Sequence, residues 1–214
     1  MPIHYHLISE GFKVKHIYIV EGINDCVFLN KIISAKYGEI KCYSIDINKD
    51  SINVRNNPVF NTFIAEYSPY DILIISETGK SKLLKLLHNI VNITLNVTDI
   101  KIIILFDLDS NTADEEFKNI EKTIKSYIPN SIKLDPAISH DIHNATLHQR
   151  VYRLTKRNVR LLDLNFLAFN PSLESAIYNE YKVDVHKAGN HIKKNELIER
   201  YSVLFSPDDI LLEL

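Results

Sequence analysis

Three short stretches of this chain are apolar without interruption: Ile17-Tyr18-Ile19-Val20, Ile72-Leu73-Ile74-Ile75 and Ile102-Ile103-Ile104-Leu105. None alternates polar with apolar, so none reads as a strand with a wet face. A strand that is apolar at every position is covered on both sides, as parallel strands between layers of helices are. Helical periodicity separates the runs. Val27, Phe28, Ile32 and Ile33 repeat over 24–36, with Asn24 as candidate cap and Gly38 as stop; Leu83, Leu84, Leu86, Leu87 and Ile90 follow Gly79; Phe117, Ile120, Ile124 and Tyr127 share a face over 112–128. Strands alternating with helices predict an α/β fold with a largely parallel sheet. Further strands are predicted at 41–47, 132–138 and 159–169, a turn at Asn56-Asn57-Pro58, and helices near 172–181 and 194–203. We divide the 214 residues into a core, 1–138, and a C-terminal α/β extension, 139–214, packed on it.

The composition excludes little else. A net charge of −2 and 24% charged residues show no bias towards a polyanion or an acidic membrane. No apolar stretch approaches the roughly 18 residues of a membrane span, and no basic-then-apolar leader precedes a cleavage site. The expectation is a cytoplasmic protein with no membrane partner. Cys26 and Cys42 have no metal-type or redox spacing. Cys26 is expected to be a buried, structural thiol.

Acids gather where the apolar runs end. Val20 is followed by Glu21-Gly22-Ile23-Asn24-Asp25, and Leu105 by Phe106-Asp107-Leu108-Asp109-Ser110. Strand alternation puts Asp107 and Asp109 on one side and Leu108 on the other. If the two strands are parallel neighbours, these acids meet at the carboxyl edge, where open parallel sheets bind ligands. Two carboxylates about 4 Å apart repel by about 4 kcal/mol at an effective dielectric near 20. Protons or a divalent cation relieve that repulsion, and oxygen-only donors favour Mg²⁺ or Mn²⁺ over zinc. Asp25, one helical turn past Glu21, adds another oxygen donor. Taken alone, Asp109 or Ser110 could equally cap the next helix.

These residues resemble a Toprim domain. Its pattern is Glu-Gly after the first strand, here Glu21-Gly22, and Asp-x-Asp after a later one, here Asp107-Leu108-Asp109. The similarity covers roughly 14–138. It implies a Rossmann-like parallel sheet of about four strands and Mg²⁺-dependent phosphodiester chemistry. In that family the Glu is an acid, a base or a metal ligand, and the aspartates hold the metal. The chain is most similar to the nuclease-type Toprim of overcoming-lysogenization-defect proteins, without their ATPase. That branch shows Glu-x-x-x-Glu, matched by Glu21 and Asp25, and Ser-x-Glu, matched by Ser172-Leu173-Glu174. Ser172 and Glu174 read equally as the start of a helix after Pro171. A lysine follows later in that branch, for which Lys187, Lys193 and Lys194 are the candidates here, Lys193 being the one read as catalytic. The resemblance implies an Mg²⁺- or Mn²⁺-dependent nuclease acting on DNA or RNA. The alternative is a non-cleaving nucleic-acid-binding module, or a subunit activated by an ATPase partner. A homodimer stays open.

Two further features bear on phosphate contact. Glu77-Thr78-Gly79-Lys80-Ser81 opens a helix, but a phosphate loop needs glycine where Ile74 stands. Gly79 then frees backbone N–H groups for an anion, with Lys80 beside them. Arg150, Arg153, Arg157 and Arg160 would share one face of a helix, with Tyr152 and His148 near for stacking on bases. Such a stripe would neutralise several phosphates. His140, His143 and His148 lack the spacing of a zinc site.

Overall fold

The computed structural model describes residues 2–6, 15–37, 43–46, 57–65, 72–77, 79–95, 100–142 and 146–211. Gly38, Cys42 and His143 lie outside them. Among the described residues eight strands form one sheet: β1 (Pro2–His6), β2 (Lys15–Val20), β3 (Tyr43–Asp46), β4 (Ile72–Ser76), β5 (Ile100–Asp107), β6 (Lys133–Ile142), β7 (Leu147–Lys156) and β8 (Val159–Phe169), in the order β3-β1-β4-β2-β5-β8-β7-β6. The centre, β4-β2-β5-β8, is parallel. Antiparallel pairs flank it on both sides. The fold is therefore α/β with a Rossmann-like parallel core.

The helices are α1 (Ile23–Tyr37), α2 (Pro58–Ile64), α3 (Lys80–Thr94), α4 (Ala113–Tyr127), α5 (Leu173–Tyr181), α6 (His191–Tyr201) and α7 (Pro207–Leu211). Each apolar run feeds two cores because its side chains alternate faces. Ile17, Ile19, Leu73, Ile75, Ile102 and Ile104 pack with Phe60 and Phe63 of α2, Leu83, Leu87 and Ile90 of α3, and Phe117, Ile120 and Ile124 of α4. Tyr18, Val20, Ile72, Ile74, Ile103 and Leu105 pack with Phe28 and Leu29 of α1, Leu173 and Ile177 of α5, Ile198 of α6 and Ile210 of α7. Cys26 is buried in this second layer. Among the described residues no helix is long and apolar enough to cross a membrane.

Three local expectations need correction. The arginine-rich segment is a β-hairpin, with Arg157 and Asn158 at positive φ (52° and 65°) joining β7 to β8. Two successive left-handed residues are what a tight hairpin turn requires. Its strands alternate Val151 with Tyr152 and Leu154, and a spacing of three to four between arginines mimicked a helix. Asn57-Pro58, read as a turn, opens α2, with Asn57 Oδ1 accepting from the N–H groups of Val59 (2.9 Å) and Phe60 (3.1 Å). The division at 138 falls within β6, and β8 pairs directly with β5, so one sheet runs through both parts.

Candidate active site at the carboxyl edge of the sheet

Backbone hydrogen bonds stitch the four parallel strand ends together. Glu77 N–H donates to Val20 O (2.9 Å), Glu21 N–H to Leu105 O (3.1 Å) and Leu108 N–H to Phe169 O (2.8 Å). Because β2 and β5 are parallel neighbours, Glu21 stands beside the end of β5. Its Oε2 accepts from the Asp107 N–H at 3.2 Å. Since β8 is parallel to β5 on the other side, its exit delivers Ser172 and Glu174 to the same edge.

Each acid has an internal donor. Gly22 precedes α1, and Asp25 in the first turn accepts from the Gly22 N–H at 3.0 Å; this replaces the cap expected of Asn24. Asp107 Oδ1 accepts from Leu173 N–H at 3.1 Å. Ser172 is the cap of α5: its Oγ accepts from Ser175 N–H at 3.1 Å, which orients the α5 terminus towards Asp107. Asp109 caps nothing. It occupies a turn at φ 57°, its N–H bonded to Pro171 O at 2.8 Å, while Thr112 and Glu115 form the capping box of α4. Glu174, 8% exposed, accepts from Asn24 Nδ2 at 2.6 Å.

The acids also feel each other. Burial pushes the Asp107 carboxyl up to about 7, reinforced by Glu174, Glu21 and Asp109 and opposed by the Leu173 N–H. Asp25 is raised well above the usual carboxylate range by burial, then by Asp107, Glu174 and Glu21. Burial also raises Glu21, against the Asp107 N–H and Lys80. Four carboxylates from β2, α1, β5 and α5 thus form one repelling cluster, with Asp109 at its rim.

The donor chemistry suits a hard divalent cation: every group offers oxygen, and Asn24 Oδ1 is a buried acceptor with no hydrogen-bond partner beside Glu174. The present side-chain positions do not converge. Among the described residues no three acidic, His or Cys side chains are arranged to hold an ion.

No family model, no curated protein and no solved structure matches this chain.

Two lysines flank the cluster. Gly79, at φ 82° with open space around its α-carbon, caps α3 and delivers Lys80 to Asp109 (3.0 Å) and Glu116 (3.7 Å). On the opposite side Lys194 reaches Glu174 at 3.5 Å. Lys193, the lysine expected from the sequence, is exposed in the first turn of α6, where its backbone N–H meets the cap Asn190. Lys187 pairs with Asp184. Glu116, 6% exposed and held by Asn111, is an acid that sequence reasoning did not single out; only its place in the first turn of α4 signalled it.

The basic stripe is dispersed. Arg153 and Arg160 both pair with Asp163, and Arg157 sits at the hairpin turn. That turn lies at the start of β8, eleven residues and therefore roughly 35 Å from the acidic edge. Arg150 projects from the other face of β7, 5.0 Å from the Phe117 ring and 3.2 Å from Asp114. By register it sits opposite Phe166, nearer the end of β8 than Arg153, Arg157 or Arg160. Tyr152 is 4% exposed, its hydroxyl donating to Phe117 O, so it is a core residue. His148 is buried against Asp141 at 2.6 Å.

Proposed function

We propose that the protein is a metal-dependent nuclease that hydrolyses phosphodiester bonds of DNA or RNA, using Mg²⁺ or Mn²⁺. The observation that carries this reading is the gathering of Glu21, Asp25, Asp107 and Glu174, with Asp109 at the rim, at the carboxyl edge of the parallel strands. It agrees with the Toprim-like motif spacing.

Asp107, Asp109 and Glu174 would hold the metal, with Asp25, Glu21 and Asn24 Oδ1 as further oxygen donors. A bound divalent ion would polarise the phosphoryl oxygen and acidify the attacking water. Glu21, its carboxyl raised by burial, is suited to accept a proton from water or return one to the leaving oxygen. Lys194 and Lys80 hold ammonium groups on either side of the acids and would stabilise charge developing on a bound phosphate. Arg150 would meet a flanking phosphate, while Arg153, Arg157 and Arg160 stand too far away to do so.

The test is incubation of the purified protein with Mn²⁺ and mixed DNA and RNA. Cleavage is expected, with Asp107→Asn and Asp109→Asn each lowering the rate by at least about a hundredfold, as loss of transition-state charge stabilisation does. Asn is preferred to Ala at 109 because it tolerates the left-handed backbone. Full activity in both variants would place the chemistry elsewhere. The self-satisfied acids favour a second reading, a subunit that cleaves only once a partner binds. Metal binding without cleavage by the isolated chain would select it.

A further inference from the structure

We propose that Lys80 is the internal counter-ion of the acidic edge, so that a divalent cation must displace its ammonium from Asp109 in order to bind. The proposal rests on the metal-dependent reading above and adds a regulatory element to that site. Lys80 begins α3 at the end of β4, and Asp109 follows β5, with β2 between them. At about 4.8 Å per strand, the Lys80–Asp109 pair together bridges about 10 Å across the end of β2, just where Glu21 follows it.

Three contacts fix the ammonium there. Asp109 Oδ2 lies at 3.0 Å, Glu116 Oε1 at 3.7 Å and the centre of the Phe106 ring at 5.8 Å. The side chain is only 19% exposed. Asp109 is itself 66% exposed, and a solvated pair alone holds no fixed geometry; the nearly buried Glu116 carboxylate and the Phe106 ring hold the ammonium from its inner side. Local helix energetics argue against a lysine at this position. The first turn of α3 contains Lys80 and Lys82 and no acid, which opposes the helix dipole. The compensating attraction comes from the acids across the sheet edge.

Asp109 is one of the oxygens a metal would need, and it is the one held outside the cluster. A cation arriving there meets an ammonium already in place and loses affinity through like-charge repulsion. Removing the charge at residue 80 should therefore strengthen metal binding, although the same ammonium would assist phosphate contact once released.

The experiment is a Mn²⁺ titration of the metal-free full chain, read by electron paramagnetic resonance, on wild type, Lys80→Arg and Lys80→Met. Lys80→Met is expected to bind Mn²⁺ at least about threefold tighter, and Lys80→Arg to match wild type. Lys80→Gln replaces the Met variant if thermal melts show it unfolded. Equal or weaker binding by the neutral variants, with wild type binding, overturns the counter-ion role alone. Failure of every variant, wild type included, to bind Mn²⁺ overturns the metal-dependent reading and this proposal with it.

Discussion

At Asp107 three effects meet. Burial and neighbouring carboxylates disfavour its charge, and the Leu173 N–H favours it, for a net rise from 3.8 to about 7. A carboxyl whose folded-state value is raised stabilises the fold while protonated, and that stability is lost as pH rises through the folded-state value. Without metal the protein should therefore become less stable between about pH 4 and pH 7, with Asp25 contributing in the same direction. A shift of about three units bounds the effect of Asp107 at about 4 kcal/mol. Thermal melts in EDTA should show this decline, and Asp107→Asn should flatten it while keeping an acceptor for Leu173. A wild-type melting temperature that rises over the same interval would contradict the electrostatic account. Gly79 makes a separate residue-scale prediction. Its φ of 82° with ψ of 144° belongs to a region nearly reserved for glycine, so Gly79→Ala should cost about 1–3 kcal/mol in denaturant unfolding although no atom blocks the added methyl.

Elements that bury a long periodic face were legible from sequence, and elements that depend on partners were not. α4 shows the first case: Phe117, Ile120 and Ile124 fix its face, whereas its start is fixed by the Thr112–Glu115 box and not by the Asp109 or Ser110 cap expected from sequence. Thr112→Ala should lower stability by about 1 kcal/mol, measured by urea unfolding, and an unchanged midpoint would argue against the box. β7 shows the second case. Leu147, Val151, Leu154 and the arginines recur at three to four residues, a helical interval, yet the segment pairs with β6 and β8. Cross-strand pairing is non-local and leaves no mark on the segment itself. The turn between Arg157 and Asn158 offers a check, since arginine carries a penalty in the left-handed region that glycine does not. Arg157→Gly should raise stability by up to about 1 kcal/mol and leave nucleic-acid affinity unchanged, because the turn stands far from the acidic edge. Weakened nucleic-acid binding in that variant would restore the hairpin to the interface.

At the scale of the molecule, the site depends on strand order. The apolar runs showed which segments are strands, and the acids after Val20 and Leu105 showed where a site would form if the two were neighbours. Their adjacency, and the insertion of β8 beside β5, became visible only in the fold. The same limit explains the lysines. Lys80 meets Asp109 across an intervening strand, and Lys194 meets Glu174 between α6 and α5, so neither pair has a sequence interval that would reveal it. Glu21, Asp25, Asp107 and Glu174 come from four elements that share one edge, and an ion would convert their repulsion into cohesion. The most direct measurement is anomalous diffraction from crystals soaked in Mn²⁺. A peak surrounded by Glu21, Asp25, Asp107, Asp109 and Glu174 is predicted; its absence there at millimolar Mn²⁺, or a peak elsewhere on the protein, would contradict the account.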